Sequence, residues 1–159
     1  MGAGKTATGK SMAGLLGLNF LDLDEEIEAQ ARQSINEIFH GKGEDFFRSE
    51  ERKALERTAK LSATVVATGG GIVLDPRNVE RMTQTGRVIF LQASFETLWS
   101  RVRNKRDRPL LEAAEPKAVF YQLFQVRAPL YEAASRWKIP TDGLTPEEVA
   151  KKIVNQYLK

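Results

Sequence analysis

The residues best suited to chemistry lie in the first eleven positions, where glycine, lysine and hydroxyl side chains alternate. A glycine-rich loop that opens a helix binds phosphate, because its backbone N–H groups and the positive helix N-terminus face the anion. A lysine adds charge there, and the following Thr or Ser ligates Mg²⁺. Two registers are open. Gly2-Ala3-Gly4-Lys5-Thr6 uses Lys5, whereas the literal G-x-x-x-x-G-K-[ST] pattern from Gly4 to Ser11 uses Lys10.

Two carboxylates follow a short apolar segment, Asn19–Asp22, which predicts a buried strand. Asp22 and Asp24 stand at its end, and alternate side chains of a strand point the same way. One of them could sit in a Mg²⁺ shell while the other accepts a proton from a substrate hydroxyl. The competing interpretation is a helix N-cap at Asp24 beside a solvated acid.

Cationic side chains are the next candidates. Arg48 and Glu51 share a helix face, which is equally typical of a surface ion pair worth little. Arg127 is uninformative in isolation. Four arginines and one lysine lie between residues 101 and 108. They form either a solvated face or a basic loop that closes over a phosphate site.

Three consecutive glycines, Gly69, Gly70 and Gly71, follow the β-branched segment Thr64–Thr68. We call them the glycine turn. Without Cβ atoms, they allow a ligand to approach the backbone closely. The alternative is simply a tight turn.

Apolar segments that predict strands alternate with segments that predict helices. This pattern predicts an α/β fold with a parallel sheet, whose ligands bind beyond the carboxyl ends of the strands. The predicted strands are Asn19–Asp22, Thr64–Thr68, Arg87–Leu91 and Trp137–Pro140. The predicted helices are 7–16, 25–32, a short one at 34–39 that Gly41 and Gly43 break, 44–60, one from Pro76, one from Ser94, 117–135 interrupted near Pro129, and one after Thr145.

Composition limits the possible classes of protein. A chain of 159 residues with 42% hydrophobic and 28% charged residues suits one globular domain. The net charge of +3 is too small to argue for nucleic acid but suits an anionic small ligand. The chain has no cysteine, which excludes disulfides and thiolate metal sites. No apolar run reaches the ~18 residues of a membrane span.

Taken together, the motifs resemble the shikimate kinase family over essentially the whole chain. The family pattern matches Gly2–Thr6, Asp22-Leu-Asp24, Phe47-Arg48-Ser-Glu-Glu51, the glycine turn, Arg108-Pro-Leu-Leu111 and Arg127-Ala-Pro-Leu-Tyr131, in order and spacing. The resemblance implies a P-loop NTPase-type three-layer α/β/α domain over 1–159, with a substrate-binding region at about 24–62 and a lid at about 103–116. It also implies a parallel sheet of order 2-3-1-4-5, with the first strand absent from this chain.

The resemblance also implies roles for individual residues. Thr6 and Asp22 would hold Mg²⁺, and Asp24 is the candidate base, acting with Lys5 and Arg108 in catalysis. The carboxylate of shikimate would bind to arginines, which suit bidentate contact. The implied ATP-binding residues are Gly2, Ala3, Gly4, Lys5, Thr6, Ala7, Arg101 and Arg108. The implied shikimate-binding residues are Asp24, Phe39, Phe47, Arg48, Gly69, Gly70, Gly71 and Arg127.

Spacing selects the register of the phosphate loop. The family places its lysine about seventeen residues before the first Asp, as Lys5 stands before Asp22, so the literal match at Lys10 is a decoy. The motif's first glycine would then fall before Met1. We therefore expect the sequence to start at an internal methionine, with roughly ten further residues forming a short strand in the full protein. Pro140 departs from the polar residue usual in the family and bears on the adenine side.

The function that the resemblance implies is ATP- and Mg²⁺-dependent phosphorylation of shikimate to shikimate 3-phosphate, in chorismate and aromatic amino acid biosynthesis. The enzyme would be a cytoplasmic monomer with small-molecule substrates and neither a nucleic-acid nor a membrane partner. Two alternatives remain open. One is a kinase of another small hydroxy acid such as gluconate. The other is a catalytically dead nucleotide-binding protein, which the missing first strand motivates.

Overall fold

A computed structural model describes residues 2–103 and 113–157 and shows helices alternating with short parallel strands. The elements in chain order are α1 (Lys5–Leu16), β1 (Asn19–Asp22), α2 (Leu23–Ala31), α3 (Ile35–Thr58), β2 (Thr64–Ala67), a 3₁₀ turn (Ile72–Leu74), α4 (Pro76–Thr85), β3 (Ile89–Gln92), α5 (Phe95–Val102), α6 (Pro116–Ala134), β4 (Trp137–Pro140) and α7 (Pro146–Tyr157). The alternation confirms the predicted α/β class.

The strands form two parallel pairs. β1 pairs with β2 from Asn19↔Thr64 to Asp22↔Ala67. β3 pairs with β4 from Ile89↔Trp137 to Gln92↔Pro140. Because each pair is parallel and in register, its two carboxyl ends lie side by side. The residues that follow β1 and β2 are therefore neighbours in space.

Among the described residues, β2 and β3 are not hydrogen-bonded to each other. A cavity of about 530 Å³ lies between them, and its lining includes Val65 of β2, Leu91 of β3, Met12 of α1 and Ile153 of α7. The order of the pairs, β1-β2 and β3-β4, agrees with the expected order 2-3-1-4-5 when its first strand is left out.

Each strand pair has its own core. Leu23, Ile27 and Ile38 belong to a buried cluster that joins α2 and α3 to the segment after β2. Leu91, Ile139 and other apolar residues form a second cluster between the β3-β4 pair and α7. The first core fixes α3 against the ends of β1 and β2, where the candidate residues lie.

Asp24 is not a helix cap, so that prediction was wrong. The N-cap of α2 is Asp22, whose Oδ1 accepts a hydrogen bond from the backbone N–H of Asp24 at 3.1 Å. The helix consequently starts at Leu23, and Asp24 lies in its first turn.

The predicted helix break at Gly43 is confirmed, whereas those at Gly41 and Pro129 are wrong. Gly41 continues the first part of α3, and Gly43, with the non-helical angles φ 83° and ψ 172°, divides α3 into two helical parts at a kink. Pro129 lies inside α6. A proline in a helix removes one N–H donor and crowds the preceding turn. The packing of α6 outweighs that cost, since Phe120, Arg127 and Ala134 are all buried.

Two glycines of α1 provide a matched test of how closely that helix packs against Phe20. A Cβ atom at exposed Gly14 would meet nothing within 4 Å, whereas one at buried Gly9 would lie 2.7 Å from Phe20 Cε2. We expect Gly14→Ala to raise the free energy of unfolding by about 0.5–1 kcal/mol, as Gly→Ala does in helices. Gly9→Ala should gain less or destabilise, because the Phe20 ring must move. Urea denaturation measures both, and equal gains would contradict the packing described.

Candidate functional site

The glycine-rich start of the chain leads directly into a helix N-terminus. Gly4 is the N-cap of α1 with φ 82°, a left-handed conformation that glycine adopts without steric cost. Lys5 and Thr6 therefore occupy the first turn, where the backbone N–H groups face outward. Lys10 lies further along the helix, with its Nζ 4.0 Å from Oε1 of exposed Glu25. Of the two lysines, Lys5 is the one placed at the helix N-terminus.

Thr6 and Asp22 meet at this end of α1, although they are 16 residues apart. The Thr6 hydroxyl donates to Asp22 Oδ2 at 2.6 Å, and Asp22 Oδ1 caps α2. Mg²⁺ usually keeps several waters and takes one or two protein ligands together with substrate phosphates. A hydroxyl beside a carboxylate fits that requirement. No cluster of three or more acidic or histidine ligands occurs among the described residues, so a metal here would depend on phosphate oxygens.

Arg48 is held by two carboxylates on its own helix. Its Nη1 donates to Glu51 Oε2 at 2.8 Å, while its Nη2 and Nε donate to Glu44 Oε1 at 2.8 and 3.1 Å. The Glu51 side chain is 0% exposed and that of Arg48 is 20% exposed. This burial distinguishes the pair from the surface ion pair that the spacing also allowed. The guanidinium group has five N–H donors, so part of it remains available to a ligand.

Opposing influences act on the ionisation of these two groups. Burial raises the pKa of Glu51. The positive charges of Arg48 and Arg127 lower that pKa, and the negative charge of Asp24 raises it. The net effect is a raised pKa for Glu51. Burial lowers the pKa of Arg48, but Glu51 and Glu44 outweigh that effect and leave it raised. Glu51 Oε1 is buried and has no hydrogen-bond partner within the described part of the chain. The cluster is therefore a set of desolvated charges that depend on one another.

The glycine turn gives these charges room. A Cβ atom at Gly69 would lie 2.9 Å from Asp24 Oδ1 and 3.0 Å from Glu51 Oε1. One at Gly71 would overlap the Arg48 guanidinium. At Gly69 and Gly71 it is side chains that approach the backbone closely, and the approach of a ligand stays a prediction. Asp24, Arg48 and Glu51 come together around this backbone.

Helix α6 adds two further side chains one turn apart. Arg127 is buried, at 5% exposure, and close enough to Glu51 to lower its pKa. The Tyr131 hydroxyl donates to the carbonyl oxygen of Gly70. Tyr131 and Glu51 were not among the predicted site residues. The i, i+4 spacing of Tyr131 from Arg127 was the available signal, because it places both on one helix face.

The two predicted aromatic residues stack, with the ring centroids of Phe39 and Phe47 4.9 Å apart. Phe47 is 5% exposed and belongs to the core. Its ring centroid lies 5.1 Å from the Arg48 guanidinium carbon. Phe47 therefore supports Arg48 and contributes little open surface, whereas Phe39 is only partly buried.

Of the predicted ATP-binding residues, Arg101 donates from its Nη1 to the carbonyl of Gly2 at 3.2 Å. This bond places α5 beside the phosphate loop. Pro140 ends β4 opposite Gln92. Arg108 and most of the predicted lid, residues 104–112, lie outside the described residues.

Comparison with known proteins agrees with the resemblance found from the motifs. A family model described as shikimate kinase matches residues 1–158. The chain belongs to the shikimate kinase family. A shikimate kinase of Thermodesulfovibrio yellowstonii is 42% identical over 157 residues, covering 99% of this chain and 90% of the relative. One from Caldanaerobacter subterraneus is 38% identical over 159 residues, covering 100% and 92%.

Solved shikimate kinases share the fold. The shikimate kinase from Acinetobacter baumannii in complex with shikimate superposes with a TM-score of 0.96 at 37% identity, covering 99% of this chain and 88% of that one. The enzyme from Aquifex aeolicus gives 0.84 at 30% identity, covering 98% and 90%. The recognition made from the motifs is confirmed.

The raised pKa of Glu51 predicts how stability responds to pH. A carboxyl group whose pKa is raised on folding contributes stability that is full below its unfolded value and is lost as pH rises through the folded value. Glu51→Gln removes this contribution. The free energy of unfolding of the variant, relative to the parent, should therefore increase as pH rises above about 4.5, the ordinary value. Denaturation at a series of pH values measures the trend.

Glu148→Gln is the matched comparison with the opposite sign. The backbone N–H and hydroxyl of Thr145 donate to Glu148, which lowers the pKa of that carboxyl group. The stabilising contribution of Glu148 is lost as pH falls. The free energy of unfolding of Glu148→Gln, relative to the parent, should therefore decrease as pH rises. A flat or falling profile for Glu51→Gln would contradict the electrostatics described.

Proposed function

We propose that this chain transfers the γ-phosphoryl group of ATP to the 3-hydroxyl of shikimate, giving shikimate 3-phosphate for chorismate and aromatic amino acid biosynthesis. The observation that carries the proposal is the meeting of Asp24 and Arg48 at the glycine turn, beyond the ends of the strands where α1 presents its N-terminus. Arg48 would bind the carboxylate of the substrate, and Asp24 would contact its hydroxyl. Both groups occur in a hydroxy acid, which would lie next to the phosphate site.

The phosphate loop would bind ATP. Backbone N–H groups at residues 2–7 and the charge of Lys5 would face the phosphates, with Arg101 beside Gly2. Arg108, outside the described residues, stays an expected ATP contact. Thr6 and Asp22 would hold Mg²⁺, with Asp22 acting through Thr6 and water. With ATP bound, an ion held there would supply positive charge against the phosphates.

The glycine turn would receive shikimate. Arg48, with N–H groups left over from Glu44 and Glu51, and Arg127 would bind the ring carboxylate. This orients the 3-hydroxyl, and Asp24 accepts its proton as the new O–P bond forms. The bond from the γ-phosphorus to the bridging oxygen breaks, and ADP leaves. Positioning and charge stabilisation provide most of such catalysis.

The proposal extends to organisation and location. Residues 1–159 would form one domain, with the substrate region at about 24–62 and the lid at about 103–116, working as a monomer in the cytoplasm on small molecules. None of the described helices is long and apolar enough to cross a membrane.

The direct test is ADP release in a coupled assay, with shikimate and gluconate supplied in parallel. ADP release that depends on shikimate supports the proposal. Release with gluconate alone would favour the other hydroxy acid. ATP binding by calorimetry without release in either case would indicate a nucleotide-binding protein that is catalytically dead.

Asp24→Asn tests the candidate base. Asn cannot accept the proton, so we expect kcat to fall by about 10²-fold or more, the range for general bases. The Kd for ATP should stay within about twofold, because Asp24 lies on the acceptor side. Exposed Asp45→Asn is the matched control and should retain kcat. Unchanged turnover in Asp24→Asn would reject Asp24 as the base.

Gly71→Ala tests the acid-binding arginine without altering it. The new Cβ atom would displace the Arg48 guanidinium, so KM for shikimate should rise about tenfold or more while KM for ATP stays constant. Gly41→Ala adds the same methyl group where nothing lies within 4 Å. Similar KM values for shikimate in both variants would show that Arg48 does not bind the acid.

A further inference from the structure

The glycine turn is held partly by its own neighbours and partly from a distance. The Gly69 carbonyl accepts from the N–H of Ile72 at 3.5 Å, and that of Gly71 accepts from the N–H of Leu74 at 3.0 Å. These are local bonds of the 3₁₀ turn. The Gly70 carbonyl accepts from the Tyr131 hydroxyl, 61 residues away on α6. Among the bonds described for the three carbonyls, this is the one that comes from another part of the fold.

The Tyr131 ring is fixed independently of its hydroxyl. It lies 5.3 Å from the Phe90 ring of β3, between centroids. Burial raises the pKa of the Tyr131 hydroxyl, although the Arg127 charge acts in the opposite direction. The group therefore keeps its proton at neutral pH and remains a donor. Replacing Tyr131 by Phe would retain the ring contact and remove the bonds of the hydroxyl to Gly70 and to Arg127.

Loss of the bond from Tyr131 to Gly70 would change the surroundings of Asp24, Arg48 and Glu51. Glycines have no Cβ atom to restrict their backbone dihedrals, so an unheld peptide at Gly70 can rotate easily. Its two neighbours cannot move without consequence, because Gly69 borders Asp24 and Glu51 while Gly71 borders the Arg48 guanidinium. A rotation at Gly70 would therefore change the space in which these side chains sit.

We propose that Tyr131 is a positioning residue, whose hydrogen bond to Gly70 holds the glycine turn in the shape that orients Asp24 and Arg48 toward the acceptor substrate. It acts through the turn and makes no contact with the reacting atoms. This inference rests on the proposed function, because it names a determinant of the same acceptor site.

Kinetics of Tyr131→Phe test the inference. We expect KM for shikimate to rise about threefold to tenfold, the range that one hydrogen bond controls. KM for ATP should change by less than about twofold. Tyr121→Phe is the matched control, since Tyr121 lies on the same helix, is 45% exposed and contacts Phe95. It should leave both constants unchanged.

Because Tyr131 also hydrogen-bonds Arg127, hydrogen exchange of the backbone amides at 70–72 in the ligand-free protein is the readout that assigns the effect to the glycine turn. Exchange should be faster in Tyr131→Phe than in the parent and in Tyr121→Phe, whether or not the protein turns over shikimate. If the parent gives no shikimate-dependent ADP, the proposed function fails while this readout still decides the role of Tyr131. An unchanged KM for shikimate, equal rises in both KM values, or unchanged exchange at 70–72 would overturn the inference.

Discussion

The pairing of Glu51 with Arg48 is the interaction on which the candidate acceptor site depends. A carboxylate that is 0% exposed carries a large desolvation penalty, and the guanidinium 2.8 Å away offsets part of it, so the pKa of Glu51 stays raised. Removing one partner of such a pair typically costs about 3–5 kcal/mol, because an unpaired charge is left inside. The pair is therefore a constraint on everything around it. The ring of Phe47 packs beside the Arg48 guanidinium, and the glycine turn leaves space for Arg48 and Glu51 because it has no Cβ atoms.

The fold brings the remaining groups to this pair through strand ends and helix faces. Two parallel strands in register place Asp22 and the glycine turn at one edge. Asp24 follows on α2 and acts against Arg48 in setting the pKa of Glu51. Arg127 approaches from α6. The candidate acceptor site is thus assembled from four segments, which bring two arginines together with the carboxyl group proposed as the base.

Much of this arrangement could be predicted from sequence because it rests on order and spacing. The strands Asn19–Asp22 and Trp137–Pro140 have the predicted bounds. The number of residues between Lys5 and Asp22 selected Lys5 as the lysine of the phosphate loop, which agrees with the start of α1 at Lys5. Local signals failed where tertiary packing outweighed them. Gly41 and Pro129 are poor helix formers, yet both lie inside helices whose faces are buried.

Other features had no local signal. An i, i+3 Arg–Glu pair looks the same in sequence on a surface and in a core, so the burial of Glu51 could not be foreseen. The bond from Tyr131 to Gly70 joins residues 61 positions apart, and only the folded chain brings them together.

A double-mutant cycle on shikimate binding tests the central claim, that Glu51 prepares Arg48 for the acid. Calorimetry would compare the parent, Glu51→Gln, Arg48→Lys and the double variant, where lysine keeps the charge but not the forked geometry. The account predicts that Glu51→Gln weakens binding about tenfold in the parent and little in the Arg48→Lys background, a coupling of about 1–3 kcal/mol. Equal losses in both backgrounds would mean that the two residues act independently, which would contradict the account.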